Sequence, residues 1–221
     1  MTRDPMLWLL QANDSSYPSG AYAHSFGLEE LVELQFVRNA TDLENFLTCQ
    51  VLPALLTFEI PHFAQAHTAA NAGQLDALLA LDAELDAWRI PAEICDASRR
   101  IGSQRLELLA SLAPSPLILD LRAATPRAHH LIVTALELSS LPLPQAARAF
   151  AYQALSGLTS SSMKLIRIGQ NACQHILHRS LENIGTEIDS ATASQPDGWF
   201  NPLLEIASLR HARSNARLFI S

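Results

Sequence analysis

The sequence predicts an all-α protein, and its composition carries that prediction. The 221 residues include 37 Leu and 33 Ala but only 4 Val. Leu and Ala favour helices, whereas β-branched residues favour strands. A chain of this length with 48% hydrophobic residues can bury one sizeable core. We find no repeat period and no low-complexity linker, so we expect residues 1–221 to form a single domain, a bundle of about eight to ten helices.

Start signals and periodicity divide the first half of the chain into helices. The stretch 41–44 reads Thr-Asp-Leu-Glu, which has the form of a capping box and predicts a helix start. Pro53 should bend or break the helix that follows, because proline removes a backbone donor. Apolar residues at helical spacing predict an amphipathic helix over 74–88 and a further helix over 92–112. A looser stretch is predicted around the next three prolines, Pro114, Pro116 and Pro126.

The second half of the chain is predicted to be helical with one longer loop. Helices are expected over 130–139 and 145–158, with another beginning after 160–164. Residues 186–199 are rich in Ser, Thr, Asp, Pro and Gly, which favours a loop. Asn201 and Pro202 supply an N-cap and a first-turn proline for a last helix.

The charge of the chain excludes nucleic acid as an expected partner. The formal net charge is −7, and no run of Lys and Arg offers an electrostatic footprint for phosphates. The apolar core of the first residues is too short for a secretory signal, and the near-apolar run 131–138 is too short to cross a bilayer. We therefore expect a cytoplasmic protein with no membrane contact. The three cysteines are far apart, and we expect each to be a small buried hydrophobe: Cys49, Cys95 and Cys173.

The segment 17–30 allows a catalytic interpretation. Within it, residues 23–27 read Ala-His-Ser-Phe-Gly, one residue away from the Gly-x-Ser-x-Gly turn that presents a nucleophilic serine. His211 lies late enough in the chain to act as a base, so one alternative is a small serine hydrolase that uses Ser25 and His211. The residues before Ser25 include a proline, a glycine and no β-branched residue. They therefore do not predict the strand on which such a serine stands.

The same segment allows a docking interpretation. Pro18, Gly20 and Gly27 are expected to shape a tight loop in which Tyr22 and His24 point outward, and tyrosine is favoured at interfaces. The other interpretation is a loop that caps the first helix and packs its aromatic rings inward. The residues alone leave both open.

A metal site is not predicted. His175, His178 and Glu182 fall within about 60° of one another on an ideal helix, so they could meet one ion. Three cationic side chains flank the same side and disfavour a cation, namely Lys164, Arg167 and Arg179. We predict no metal and no cofactor.

Gln170 is expected to lie within an apolar stripe of the same helical stretch. A buried amide needs hydrogen-bonding partners. Those partners could belong to another helix of the same subunit or to a second copy across a symmetric interface. Gly169 beside it would permit close backbone approach in either case.

The last helix changes from an apolar to a basic face. Arg210, Arg213 and Arg217 follow one another at three- and four-residue steps and give residues 210–221 three positive side chains. Arginine suits paired or interfacial carboxylates, which favours partner binding. A solvated basic end stabilised by the helix dipole is the alternative.

Four segments, in order along the chain, resemble the UreF family of urease accessory proteins. The first runs from Pro18 to Glu29 and ends in Gly-Leu-Glu; the second is 99–104, Arg-Arg-Ile-Gly-Ser-Gln. The third is 164–174, with Gly-Gln at its centre, and the fourth runs from Pro202 to Ser221. The chain departs from the family pattern at Ser19, Lys164, Cys173 and Ala212.

The resemblance implies an all-α, homodimeric, cytoplasmic protein that is not an enzyme. Members of this family bridge the accessory protein UreD, also called UreH, and the GTPase UreG, and so help nickel reach apo-urease. The family's partner-facing residues carry over to Tyr22 and Arg217. We therefore expect a partner-binding set of Tyr22, His24, Ser25, Arg210, Arg213 and Arg217. Gly169 and Gln170 are expected at a dimer interface or in helix packing.

Overall fold

The computed structural model describes residues 4–21, 24–182, 184–198, 201–211 and 217–220. Within these ranges the chain forms eleven helical segments and no strand, which confirms the predicted all-α class. The helices are α1 Pro5–Ala12, α2 Leu28–Glu33, α3 Ala40–Asn71, α4 Leu75–Trp88, α5 Ala92–Leu112, α6 Pro116–Ala124, α7 His130–Glu137, α8 Leu143–Leu165, α9 Gln170–Glu182, α10 Ile184–Thr192 and α11 Pro202–His211.

The number of helical segments exceeds the predicted eight to ten because some prolines begin helices. Pro116 opens α6, where the looser stretch was predicted, and the side chain of Ser115 accepts the backbone N–H of Ile118 at 3.3 Å. Pro5 opens α1 in the same way behind Asp4. The first turn of a helix needs no donor at its first position, so proline costs nothing there. The predicted cap at Asn201 and first-turn Pro202 are confirmed, with Leu204 N 3.2 Å from Asn201 Oδ1.

Helix α3 begins earlier than predicted and continues through its prolines. Its cap is Asn39, whose Oδ1 accepts the N–H of Asp42 at 3.0 Å, so the capping box predicted at 41–44 is wrong. Pro53 does not break the helix, because π-helical turns at Leu47–Val51 and Leu55–Glu59 flank it. The wider π-helical turns leave space for the proline ring and change the hydrogen-bonding pattern around its missing N–H. Both effects of proline would otherwise end an α-helix.

By length and composition alone, α3 could also cross a membrane, with 32 residues and a mean hydropathy of 1.2 in its most apolar window. This is weak evidence, because the core helix of a bundle passes the same test. In this structure the second half of α3 is such a core helix. Its residues from Ile60 to Ala70 are mostly buried, Phe63 among them at 0% exposure.

The core forms around α3 and α7. Helix α3 packs against α4, α7, α8 and α10, and Phe63 stacks on Phe150 with ring centroids 4.8 Å apart. Every residue from 131 to 138 is buried, so α7 is the most enclosed helix. It approaches α5 at Gly102, where an added Cβ would lie 2.0 Å from the carbonyl oxygen of Ala128. The backbones of α5 and the start of α7 are therefore in direct contact.

The other predicted helices, the predicted loop and the expected burial of the cysteines are confirmed only in part. The helices predicted over 74–88 and 92–112 are confirmed, and α8 is longer than the predicted 145–158. The loop predicted over 186–199 is wrong in its first part, which belongs to α10. Ile184, Ile188 and Ala191 are spaced as one helical face and are buried, while the polar residues between them are mostly exposed or half-buried. Of the three cysteines only Cys173 is buried; Cys95 is half-buried and Cys49 is exposed.

Candidate functional site

The four segments that resemble the UreF family converge on one face of the molecule. A Cβ at Gly20 would lie 2.0 Å from the side-chain oxygen of Gln104, so the N-terminal loop rests on α5. Glu29, at the start of α2, binds the backbone of Phe219 in the tail. The ammonium of Lys164, near the end of α8, lies 5.2 Å from the centre of the Phe219 ring. Segments distant in sequence thus form one continuous surface.

The N-terminal loop has the tight geometry that its glycines predict. Gly20 and Gly27 have φ angles of 77° and 87°, in the left-handed region that favours glycine. Phe26 adopts a φ of 50°, which costs a bulky residue energy and is typical of strained turns at functional sites. Tyr22, which we predicted to be presented by this loop, lies outside the described residues.

His24 and Ser25 point inward, so the expectation that His24 faces outward is wrong. Their exposed fractions are 5% and 0%. The Ser25 Oγ accepts the N–H of Glu29 at 3.3 Å and so caps the first turn of α2, while the His24 ring packs 6.1 Å from that of Phe26. Burial, followed by the charge of Arg100, lowers the pKa of His24 to about 4. The neutral buried imidazole and the capping hydroxyl therefore support the loop from inside this chain.

Three buried or half-buried carboxylates hold the C-terminal tail, and we call them and the groups they bind the tail clamp. The Glu29 carboxylate accepts the N–H of Leu218 at 2.7 Å and that of Phe219 at 3.0 Å. Glu29 and Glu30 are 5% and 7% exposed, and Glu93 completes the set from the first turn of α5. Buried carboxylates need such donors to offset their desolvation, so the tail is fixed in place.

His211 lies at the centre of the tail clamp. Its Nε2 is 3.0 Å from Glu29 and its Nδ1 is 3.0 Å from Glu93, and the residue is 1% exposed. A serine hydrolase needs one imidazole nitrogen facing the serine hydroxyl and the other facing an acid. Here both nitrogens face acids, and the described residues supply no strand to carry the serine. The pairing of Ser25 with His211 is not assembled in this geometry.

Two of the three predicted arginines belong to the tail clamp while staying in contact with solvent. Arg210 Nε lies 2.7 Å from Glu30, and its side chain is 57% exposed. Arg217 Nη1 lies 3.3 Å from Glu93, and its side chain is 34% exposed. Arg213 lies outside the described residues. Arg210 on α11 is thus paired to α2, and Arg217 is paired to α5. The prediction that Arg217 continues the face of the last helix is wrong, because α11 ends at His211 and residue 217 is not helical.

A groove of about 1420 Å³ runs beside the N-terminal loop. Its walls are residues 12–21, α5 and α8, and Ile220 of the tail closes one side. Among the described residues, the lining includes one carboxylate, Asp14, and four cationic side chains, Arg100, Arg105, Arg127 and Lys164. This is a local excess of positive charge on a chain whose formal charge is −7.

Gly169 and Gln170 are exposed at the start of α9. A Cβ at Gly169 would meet no atom within 4 Å, so helix packing inside this subunit does not explain the glycine. The prediction that Gln170 is buried in an apolar stripe is wrong, because α9 begins at Gln170 and the apolar face of the preceding residues does not continue into it.

The candidate ligands on α9 do not face the core. His175, His178 and Glu182 are exposed, and their neighbour Arg179 binds Glu44 of α3, with Nη2 2.7 Å from Oε2. Within the described parts of the chain, three metal-ligating groups come together elsewhere, namely Asp86, Cys95 and His129, whose ligand atoms lie within 4.8 Å of one another. Sequence analysis missed this group because its members come from α4, α5 and the residue before α7.

The electrostatics of this group, which we call the Asp86 cluster, are set by burial and by Arg99. Hydrogen bonds from Arg99 hold the pKa of Asp86 well below its usual range. Burial, with the adjacent Asp86 charge, raises the pKa of the Cys95 thiol to about 11. Burial, with nearby Arg89 and Arg99, lowers the pKa of His129 to about 3. The cluster therefore holds a charged carboxylate, a protonated thiol and a neutral imidazole.

Comparison with known proteins agrees with the sequence resemblance. The UreF family model matches residues 37–181. The chain is 30% identical to the urease accessory protein UreF of Arthrobacter sp. (strain FB24), with 97% of this chain and 96% of the relative covered. It is 29% identical to that of Bacillus sp. (strain TB-90), with 98% and 99% covered, and 28% identical to that of Klebsiella pneumoniae (strain 342), with 100% and 99% covered. The chain belongs to the UreF family of urease accessory proteins.

Proposed function

We propose that this chain is a non-enzymatic scaffold of urease maturation. In this proposal it binds the accessory protein UreD (UreH) and the GTPase UreG, modulates the GTPase, and helps nickel enter apo-urease. It acts in the cytoplasm, as a homodimer, and nickel is the cargo of the complex. Membership of the UreF family and the names of its relatives support this role.

The observation that carries the proposal is the meeting of the four family-like segments on one face. The tail clamp fixes residues 217–220 against α2 before any partner arrives. A surface that is already ordered loses less conformational entropy on binding, which favours affinity. Arg210 and Arg217 lie on this face. We propose Tyr22 and Arg213 as further partner-binding residues, because they belong to the same two sequence segments.

The cationic groove indicates what kind of partner surface would fit. Arg127 is paired with Asp96 at 3.0 Å, and Arg105 is bound to buried Glu137, so their charges are largely compensated. Arg100 and Lys164 are exposed in the lining of this groove. An acidic partner surface would gain association rate and specificity here.

Capture of purified UreG and UreD tests the scaffold. Arg217→Ala should weaken capture at least tenfold, because a desolvated interfacial charge is worth on the order of 2–5 kcal/mol. Arg148→Ala is the matched control, since Arg148 also has a half-exposed side chain (43%), is paired with Asp189 and lies outside the tail clamp. Undiminished capture by folded Arg217→Ala protein contradicts the proposal.

The homodimer has its own test. Gly169 and Gln170 are exposed where a second copy could approach closely, so Gln170→Arg would place like charges near each other across a symmetric interface. We expect the mass measured by light scattering to fall by half. His175→Arg, also exposed on α9 but about 140° around the helix from Gln170, should leave it unchanged. Equal masses for both variants and the wild type contradict this interface.

The non-enzymatic role is tested with an activated ester. Because Ser25 is buried and caps α2, wild type and Ser25→Ala should show the same low background turnover. A serine-dependent rate, lost in a folded Ser25→Ala protein, would contradict the proposal and favour the hydrolase alternative.

A further inference from the structure

We propose that the Asp86 cluster is a binding site for a divalent transition metal ion, with Zn²⁺ the best match to its ligands. The inference is independent of partner binding, because the cluster is outside both the groove lining and the tail clamp. Asp86 Oδ1 lies 3.0 Å from Cys95 Sγ and 3.0 Å from His129 Nε2. Ligand atoms around a tetrahedral zinc are separated by about 3.3–3.7 Å, so a small outward movement would open space for the ion.

The ligand chemistry selects the class of ion. One nitrogen, one sulfur and one oxygen ligand suit zinc and its neighbours, whereas Mg²⁺ and Ca²⁺ prefer oxygen alone. The Asp86 side chain is 44% exposed, which gives the ion a path from solvent and leaves room for water as a fourth ligand. This arrangement of three protein ligands and one open position differs from a closed structural site.

The surroundings of His129 resemble those of a metal-bound histidine. Its Nδ1 lies 2.9 Å from Ser98 Oγ, and the same oxygen lies 2.9 Å from His130 Nδ1. Without the ion, the Nε2–H of the neutral ring donates to the charged Asp86 at 3.0 Å. When the ion binds, the ring loses this proton to solvent and takes one up at Nδ1, whose N–H then donates to Ser98 and leaves the Nε2 lone pair for the ion. An outer hydrogen bond of this kind orients imidazole ligands. The backbone N–H of His129 is also held by Asp82 at 2.7 Å.

Arg99 competes with the ion for the carboxylate of Asp86. Its Nε donates to Asp86 Oδ1 at 2.9 Å, and its Nη groups reach Asp82 Oδ2 at 3.4 Å. When the ion binds, Arg99 gives up Oδ1, the Cys95 S–H bond breaks, its proton passes to solvent, and an S–metal bond forms. The charge of Arg99 should therefore weaken binding, and its removal should strengthen it.

Cobalt binding to the full-length chain tests the site, because a thiolate–Co²⁺ bond absorbs strongly in the near ultraviolet. With a thiol-free reductant, wild type should develop this band, and Zn²⁺ should abolish it. Cys95→Ser should lose the band, and Asp86→Asn should bind at least tenfold more weakly. Cys49→Ser, which removes an exposed cysteine outside the cluster, should behave as wild type.

A further variant separates the site from chance thiol binding. Arg99→Gln should bind Co²⁺ at least threefold more tightly than wild type, with helix content checked by circular dichroism. A wild-type protein without the band, a band that survives in folded Cys95→Ser, or an Arg99→Gln protein that binds no more tightly would each overturn the proposal.

Discussion

The Glu29 carboxylate binds the backbone N–H of Phe219 at 3.0 Å, joining two residues 190 positions apart. The N–H of Leu218 occupies the other carboxylate oxygen at 2.7 Å. One buried side chain at the start of α2 thereby determines where the tail lies. The docking face proposed for this UreF family member depends on that contact.

Glu29→Gln should release the tail. The amide cannot accept both backbone donors as the carboxylate does, and hydrogen bonds to charged groups contribute about 1.5–3 kcal/mol each. We expect faster removal of residues 217–220 by carboxypeptidase and a loss of about 2 kcal/mol in the free energy of unfolding. Glu33→Gln, on the exposed end of α2, is the control. Equal digestion rates for both variants would contradict the clamp.

Gly102→Ala should destabilise the fold, because the new Cβ would lie 2.0 Å from the carbonyl oxygen of Ala128. We expect a loss of about 2–4 kcal/mol from the forced separation of α5 and α7. Gly157→Ala is the matched control, since Gly157 lies inside α8 and a Cβ there meets no atom within 4 Å. That variant should gain about 0.5–1 kcal/mol. Urea unfolding curves that move the same way for both variants would refute this explanation.

His24 should make the protein less stable in mild acid. Its pKa is 6.5 when unfolded and about 4 when folded, so the unfolded chain binds the proton more tightly. The loss therefore begins as the pH falls through 6.5, reaches about 2 kcal/mol at pH 5, and levels off near pH 4. Arg100 faces the same imidazole and opposes its charge.

The comparison with His24→Gln isolates this effect. Unfolding free energies measured at pH 7 and pH 5 should fall by about 2 kcal/mol less in the variant than in wild type. Contributions from the other histidines are common to both proteins and cancel in the difference. An identical loss in the two proteins would show that the His24 environment is not the cause.

Arg105→Met should cost about 3–5 kcal/mol, because it leaves the buried Glu137 carboxylate without its cation. The two side chains are 5% and 0% exposed, and Arg105 also donates to the carbonyl of Ala12 at 3.1 Å. Arg122→Met breaks a pair whose side chains are 43% and 58% exposed and should cost at most about 1 kcal/mol. Thermal unfolding of the two variants measures the difference. Similar losses of stability in Arg105→Met and Arg122→Met would argue against burial of the ion pair as the cause.

Local signals allowed much of the fold to be predicted. The leucines of α4 and the apolar residues of α5 repeat at helical spacing. This periodicity can be recognised from residues that are close in sequence, without knowledge of the tertiary structure. The tight loop at Gly20 and Gly27 was predicted from the glycines themselves, and both have a positive φ. Helix α1 and the first part of the predicted loop were missed, because α1 exposes apolar side chains on its outer face and α10 carries many loop-forming residues.

The candidate site could be predicted only in part. Arg210 and Arg217 were identified from their spacing, but their partners Glu30 and Glu93 lie more than one hundred positions away and no local pattern connects them. His24 points inward beside a turn at Phe26, whose φ of 50° a sequence does not reveal. The Asp86 cluster depends on how α4, α5 and α7 meet, which only packing determines.

The tail clamp also has a consequence for biosynthesis. Glu29 is synthesised 190 residues before Phe219. At a translation rate of about 5–20 residues per second, the amide donors of its carboxylate are added to the chain roughly 10–40 s after Glu29 itself. During that time the start of α2 holds acidic groups that lack the donors with which they are later buried. The surface proposed for partner docking is therefore completed only when residues 217–220 emerge, so a nascent or prematurely terminated chain would not present it.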